Sequence, residues 1–403
     1  MDMRTSAVCS ALLLHATAAH GFVLGGAKLA PSAKTRASLI SLVESDALTV
    51  LGGALSRISD DASGTRGWKR EGASWLLLPP SVPWATIHFV GGAGFGSAPQ
   101  LCYDAMLSSL VRRLGVAVIA TPYDVGTDHW GLSRAVHRDF DAALAACRED
   151  CGLAASAPTF RLGHSLGAKL LVLGALGPEQ TGALLPATSS DGEAGAAAAA
   201  AAQSAQPTAA AGDKIGLLAF NNFALKDSAE LASNFLARLQ GGPRAAETAR
   251  AVMDAFNMAQ AFATSAGMDF GASLEVSPTP QELDSEVAAR YAAAETTLLR
   301  FEGDNLDSAD GLLAALPASA RASTRTLDGE RGHLTPVVFR LDASEIDPAL
   351  ELILGSGRGF SFGSAESLEP LCDALCEWAW PEGMKPTKAL SGAAVDAEVV
   401  DLD

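Results

Sequence analysis

The stretch that decides the fold is Thr159–Leu176, TFRLGHSLGAKLLVLGAL. A short run of strand formers, TFRL, meets Gly163-His164-Ser165-Leu166-Gly167, and an apolar helical run, AKLLVLGAL, follows at once. A G-x-S-x-G pentapeptide between a strand and a helix is the pattern of a sharp turn. It exposes a serine at the C-terminal edge of a sheet, with Gly163 and Gly167 small enough for the strand and helix backbones to come close. The helix N-terminus favours negative charge developing beside that serine. The same pentapeptide recurs at Gly359-Phe360-Ser361-Phe362-Gly363. That copy reads as a glycine-rich loop after the last strand, and no histidine follows it in the chain. Where a serine of this kind is activated, the acid and then the histidine come later in the sequence. His333 follows Ser165, so Ser165 is the candidate nucleophile and Ser361 the coincidence.

Working outward, buried strands read at WLLLPP (75–80), TIHFV (86–90), VAVIATP (116–122), IGLLAFNN (215–222), TTLLRF (296–301) and STRTL (323–327). Amphipathic helices read at QLCYDAMLSSLVRRL and GLSRAVHRDFDAALAAC. Strands alternating with helices imply a mostly parallel sheet with right-handed crossovers, and near-continuous apolar strands imply helices on both faces. The expected class is therefore α/β, an α/β-hydrolase fold over residues 51–380. Two segments break the rhythm. Residues 187–214 are an alanine-rich, low-complexity insert expected to be a disordered loop. Residues 226–291 are helical in pattern and are expected to form a lid over the sheet edge.

The remaining site residues follow from position. His333 lies just past STRTL and can reach back over the sheet edge as a base. The acid is expected after TTLLRF, where FEGDNLDSAD offers Glu302, Asp304, Asp307 and Asp310. Asp304 is nearest the strand end and Asp307 suits a longer turn; spacing leaves both open. The oxyanion hole needs two backbone N–H groups. One is the amide of Leu166, and the other is expected from Gly92 or Ala93 in the glycine-rich GGAGFG run after TIHFV. A phosphate-cradling reading of that run lacks the G-K-[ST] sequence and the acid expected on a ribose. Tyr123 and His129, after the VAVIATP strand, are expected to line the pocket. His164 points away from the site at the elbow, His88 is expected to be a core histidine, and His137 to sit on a helix surface or in the core.

Composition excludes other classes. The 403 residues carry a formal charge of −17 with no Lys/Arg run longer than two, which argues against nucleic acid. Cys147/Cys151 and Cys372/Cys376 are spaced i,i+4 on helices without nearby histidines; they read as helix-face thiols, not metal ligands. No cofactor or metal is called for. At the N-terminus, MDMRTSAVCSALLLHATAAHGF has the form of a signal segment. No Asp or Glu occurs from Met3 to Val43, while Arg4, Lys28, Lys34 and Arg36 do. In series, over residues 1–43, these resemble a bipartite leader for a plastid, with plain secretion the alternative. No run after the leader suits a transmembrane helix. Residues 381–403, with five acids and two bases after Pro381, are expected to be a disordered tail.

The blocks WLLLPP…IHFVGGAGFGSAPQLCYDAML, VIATPYDVGTDHWGLSRAVHRDFDAAL, GHSLGAKLLVL, LLAFNNFA, SPTPQELDSEVAARYAAAETTLLRFEGDNLD and GHLTPVV resemble an uncharacterised α/β-hydrolase-like family of photosynthetic organisms, domain-of-unknown-function family 1350. The resemblance runs from about Trp68 to Val338. It implies the fold, Ser165 at the elbow, and His333 with an acid from DNLD; it implies no substrate. The function expected from these readings is hydrolysis of a small-molecule or lipid acyl ester or thioester through a serine triad. The rivals are a non-catalytic binding protein that kept the fold and an acyltransferase using the same serine.

Overall fold

The computed structural model describes residues 52–53, 55–58, 67–177, 214–222, 276–293, 295–328, 332–341 and 360–380. The leader, the 381–403 tail and all of the 187–214 insert but Lys214 lie outside them, as do residues 226–275 of the expected lid.

The chain enters the sheet through a hairpin, β1 (Lys69–Glu71) and β2 (Ser74–Leu77), turning at Gly72 with φ 57°. β3 (Thr86–Val90) is buried along its whole length, Thr86 and His88 included, because both faces of the sheet are covered. A 3₁₀ turn and one turn of helix lead into α1 (Asp104–Leu114), which stops at Gly115 in the left-handed conformation. β4 (Ala117–Ala120) follows, then α2 (His129–Cys151), whose first turn is capped by Asp128 accepting from the Gly131 amide at 2.8 Å. β5 (Thr159–His164) and α3 (Leu166–Gly174) flank the elbow. Next come β6 (Lys214–Leu218), α4 (Pro280–Arg290), β7 (Glu295–Phe301), α5 (Ala309–Ala315) and β8 (Ala322–Leu327). A small antiparallel pair, β9 (Phe339–Leu341) and β10 (Phe360–Phe362), precedes α6 (Ala365–Ala379).

The eight-stranded sheet has the order β1-β2-β4-β3-β5-β6-β7-β8. β3 to β8 are mutually parallel, and β2 alone runs against them, pairing antiparallel with β1 on one side and β4 on the other. Side chains alternate between faces along each strand. Phe160 and Leu162 of β5 and Leu218 of β6 pack with α1 and α6 on one face. Ile215 and Leu217 of β6 and Leu298 of β7 pack with α3, α4 and α5 on the other, while Ile119 of β4 packs with Phe140 and Leu144 of α2. The order reverses between β3 and its two neighbours β4 and β5. A ligand in a sheet of this kind sits outside the strand ends at such a crevice, and the elbow lies there.

Two expectations change. Pro280–Arg290, assigned above to the end of the lid, is a crossover helix lying on the sheet: its Leu283 and Val287 are fully buried against the β6–β7 face. A capping box of Thr279 and Glu282, with Pro280 at the first helical position, fixes its start. Ser361, expected in a loop, is an exposed residue of β10 paired opposite Arg340. The cysteine reading stands among the described residues: Cys102, Cys147, Cys372 and Cys376 are buried free thiols, and Cys151 is half-buried.

Candidate active site

Ser165 occupies a backbone conformation that side-chain-bearing residues rarely adopt, φ 56° and ψ −121°. It is held there from both sides. Its N–H donates to the Leu218 carbonyl of β6 at 2.9 Å, and its own carbonyl accepts from Ala168 at 3.0 Å. Both flanking glycines are sterically required. A methyl on Gly163 would come within 2.6 Å of the Ala168 backbone, and one on Gly167 within 2.2 Å of the Val90 carbonyl oxygen. The glycines therefore let α3 start directly against the ends of β5 and β3.

His333 stands in a turn, Gly332–Thr335, closed by Thr335 N–H donating to the Gly332 carbonyl at 3.0 Å. Its Nε2 lies 2.8 Å from Ser165 Oγ and its Nδ1 lies 2.9 Å from Asp304 Oδ2. A carboxylate only accepts, so Nδ1 carries the proton, and the Nε2 lone pair is left to accept from the serine hydroxyl. The Asp304 carboxylate is fully buried. Burial alone would raise its pKa; the hydrogen bond and charge of His333 and the Leu306 amide outweigh that and hold it below the usual carboxylate range. The structure thus brings Ser165, His333 and Asp304 together.

Asp307 is elsewhere. Its Oδ1 accepts from the Ala309 amide at 2.8 Å, at the start of α5, and pairs with Arg300 at 3.1 Å. Burial raises its pKa against those partners. Its role is to hold the α5 terminus. The difference comes from the turn after β7. Asp304 N–H closes back on the Phe301 carbonyl at 3.0 Å, which folds the third residue past the strand, not the sixth, toward His333.

The glycine-rich loop after β3 lies flush against the nucleophile: a methyl on Gly92 would meet His164 Nδ1 at 2.9 Å and Ser165 Cβ at 3.2 Å. The Gly92 amide, however, donates to Tyr103 Oη at 2.8 Å, so the expectation that it serves the oxyanion hole is corrected. Among the described residues no protein acceptor takes the amides of Ala93 or Leu166. Leu166 is the first residue of α3, where an N–H has no partner within the helix. Leu166, directly after Ser165, and Ala93, in the loop whose Gly92 abuts it, are therefore donors with no protein acceptor among the described residues.

Tyr123 is not a free pocket group. It is buried, and its hydroxyl donates to the Gly91 carbonyl at 2.9 Å, bracing the same loop. His129 begins α2 and is also buried, its Nδ1 without a hydrogen-bond partner among the described residues. Burial, together with the nearby Lys169 cation, pushes its pKa down to about 3. Lys169 is itself 1% exposed, its ammonium donating to the Pro278 carbonyl at 3.0 Å, and burial lowers its pKa to about 8.

His164 is the residue whose part the sequence did not reveal. It lies between two parts of the site. Its Nε2 is 2.8 Å from the His333 carbonyl and its Nδ1 is 2.9 Å from Tyr103 Oη. Its position next to the serine was visible; its partners come from 61 and 169 residues away. His88 and His137 form a separate buried group with Phe140 and Arg161, His88 stacking on Phe140 at 4.0 Å. The expectation of a satisfied core histidine at 88 is half met, since its Nε2 has no partner.

A mostly parallel sheet with its order reversing at β3, and a strained serine between β5 and α3 at that crevice, define an α/β-hydrolase fold. Residues 67–191 match the family described as "Protein of unknown function (DUF1350)", which takes in the elbow but not Asp304 or His333. No curated protein sequence matches the chain. Among solved structures, the chain is similar to esterase B from Lactobacillus rhamnosis, with 11% identity over 86% of this chain and 95% of that one and a TM-score of 0.45. It is also similar to a siderophore hydrolase from Aspergillus fumigatus, with 12% identity over 70% and 91% and a TM-score of 0.42. Carboxyl esterase 2 from Tuber melanosporum gives 12% over 76% and 80%, with a TM-score of 0.38. Among the described residues no helix is long and apolar enough to cross a membrane, and no cluster of His, Cys, Asp or Glu is arranged to hold a metal ion.

Proposed function

We propose that the protein is a serine hydrolase that cleaves an ester or thioester, a lipid acyl group among the candidates, through an acyl-enzyme. The observation that carries the reading is His333 bridging Asp304 Oδ2 at 2.9 Å and Ser165 Oγ at 2.8 Å, with Ser165 at φ 56°. Ser165 Oγ attacks the acyl carbonyl carbon while His333 Nε2 takes its proton. The tetrahedral oxyanion accepts from the Ala93 and Leu166 amides. As the intermediate collapses, His333 returns the proton to the leaving alcohol or thiol. Water then attacks the acyl-serine with His333 again as base, and the acid leaves. Asp304 keeps the Nδ1–H tautomer throughout and stabilises the imidazolium. The acid-free leader supports placing this chemistry in a plastid.

The test is labelling with a fluorophosphonate, which phosphonylates an activated serine. Wild-type protein and the Ser361→Ala variant are expected to label, and Ser165→Ala is not. Folded wild type that neither labels nor turns over p-nitrophenyl or thioester acyl substrates would overturn the reading. For localisation, residues 1–50 fused to a fluorescent protein should deliver it to plastids; secretion of the fusion would refute that part.

A further inference from the structure

Proton positions in the buried group around His164 are fixed by its partners. The His333 carbonyl has no hydrogen, so the 2.8 Å contact requires His164 Nε2 to be the donor. A neutral imidazole then has its lone pair at Nδ1, so Tyr103 must donate its hydroxyl proton across the 2.9 Å contact. That leaves Tyr103 Oη as the acceptor for the Gly92 amide at 2.8 Å. Tyr103 is fully buried and His164 is 1% exposed, so water does not substitute for any of these partners. The run Gly92 N–H → Tyr103 O–H → His164 Nδ1, with Nε2–H → O=C His333, has a single direction and no spare group.

This run connects pieces of the site that are otherwise independent in the chain: the loop that supplies Ala93, the strand end that supplies Ser165, and the turn that supplies His333. We infer that His164 is a positioning residue, one that registers the backbone of His333 against the oxyanion loop through Tyr103, and that the Gly92 amide serves this connection and not the oxyanion. The inference rests on the hydrolase reading above. A purely space-filling role for residue 164 would be met by an apolar side chain. Leucine there would leave the His333 carbonyl without its donor and the Tyr103 hydroxyl without its acceptor within a buried site. The His333 imidazole would then lose one of the contacts that set its approach to Ser165. Misplacement of a reacting group by about an ångström costs on the order of 10²-fold in rate.

The test uses the full chain with His164→Leu, His164→Gln and Tyr103→Phe, and two kinds of readout. The first is the fluorophosphonate labelling rate constant, measured separately from the labelled fraction; loss of folded protein lowers the fraction, whereas mispositioning lowers the rate. We expect His164→Leu to slow labelling about 10²-fold at an unchanged folded fraction by circular dichroism. Glutamine can both donate and accept, and is expected to recover to within about tenfold of wild type. Tyr103→Phe is expected to slow labelling about tenfold. The second readout is long-range ¹H–¹⁵N NMR of the imidazoles, expected to show His164 as the Nε2–H tautomer. An Nδ1–H tautomer, or folded His164→Leu labelling at the wild-type rate, would overturn the proposal. Should His164→Leu not fold, wild-type rates in folded His164→Gln and Tyr103→Phe together would do the same. A wild type that shows the Nε2–H tautomer but does not label would instead sink the hydrolase reading, and this role with it.

Discussion

Mild acid should strongly destabilise this protein, and histidines are the reason. Burial holds four of them neutral. His88 is pushed well below its ordinary value by burial, with His137 and Arg161 adding to it. Burial, aided by Arg161, takes His137 down to about 4. Burial is also the main cause at His129 and His164, both at about 3. A histidine whose pKa is depressed in the folded state binds fewer protons there than in the unfolded chain. Its contribution is complete above the unfolded value, near ~6.5, and drains away as the pH falls through that value toward the folded one. From pH 7.5 to 5.5 each such group removes about 1.4 kcal/mol. Four together remove roughly 5–6 kcal/mol, against a typical total stability of about 5–15 kcal/mol. Other shifted groups act outside this window. Lys169, lowered to about 8, draws stability down as the pH falls from its ordinary value to about 8. Asp307 and Asp284, both raised mainly by burial, oppose the trend near the carboxylate range. The assay is urea unfolding followed by tryptophan fluorescence at constant ionic strength, at pH 7.5, 6.5 and 5.5. His88→Phe, which can keep the stack on Phe140, should reduce the fall by about one histidine's share, ~1.4 kcal/mol. A change below about 1 kcal/mol across the whole range in wild type would refute the reasoning. It would mean that these rings are hydrated or already charged in the folded protein.

Other perturbations separate the acids and test the elbow. Asp304→Asn should lower turnover and labelling about 10³–10⁴-fold while the protein stays folded, because asparagine can present an N–H to Nδ1 and favour the wrong tautomer. Asp307→Ala should leave the labelling rate within a few-fold and lower stability by about 1–2 kcal/mol in urea unfolding, through loss of the Ala309 and Arg300 contacts. Gly167→Ala should give insoluble protein or a loss above ~3 kcal/mol, since its methyl would stand 2.2 Å from the Val90 carbonyl and 2.4 Å from that of Gly91.

How much of this was legible depends on how local the deciding contacts are. The parallel sheet was readable because strands such as AVIA (Ala117–Ala120) are buried end to end, and burial on both faces writes an unbroken apolar run. The elbow was readable because strand, serine and helix adjoin in the chain. Asp304 and Asp307 were not separable, because the choice depends on how the turn after Phe301 closes and on Ala309 and Arg300 engaging Asp307. The commitment of the Gly92 amide was hidden for the same reason: its acceptor is a hydroxyl from the start of the next helix. Alternation along β5 puts His164 on the face opposite Arg161 and Gly163, which is visible in sequence. What it meets there is decided by a turn 169 residues later, and that is not. Lys214 and Glu295, paired at 3.4 Å, likewise begin neighbouring strands that the sequence separates widely.

The two copies of G-x-S-x-G show what the pentapeptide does and does not carry. Its glycines permit a close approach; they do not create one. Holding a serine at φ 56° costs about 1–3 kcal/mol and persists only where the surroundings over-determine it. At Ser165 they do: the ladder to Leu218 fixes its N–H, the first turn of α3 fixes its carbonyl, and the Val90 and Gly91 carbonyls stand so close to the helix that only glycine fits at 167. At Ser361 the neighbours Phe360 and Phe362 pair with β9 in an ordinary ladder, Ser361 is not at positive φ, and Gly363 takes a φ of 76°. A chain that grafted the elbow residues onto the β10 position would therefore recover the motif without the strain, and the hydroxyl would project from one face of a small antiparallel pair. The strain resides in the contacts that run from β6 and β3 to the β5–α3 turn, and the sequence pattern reports it because a parallel sheet stands on both sides.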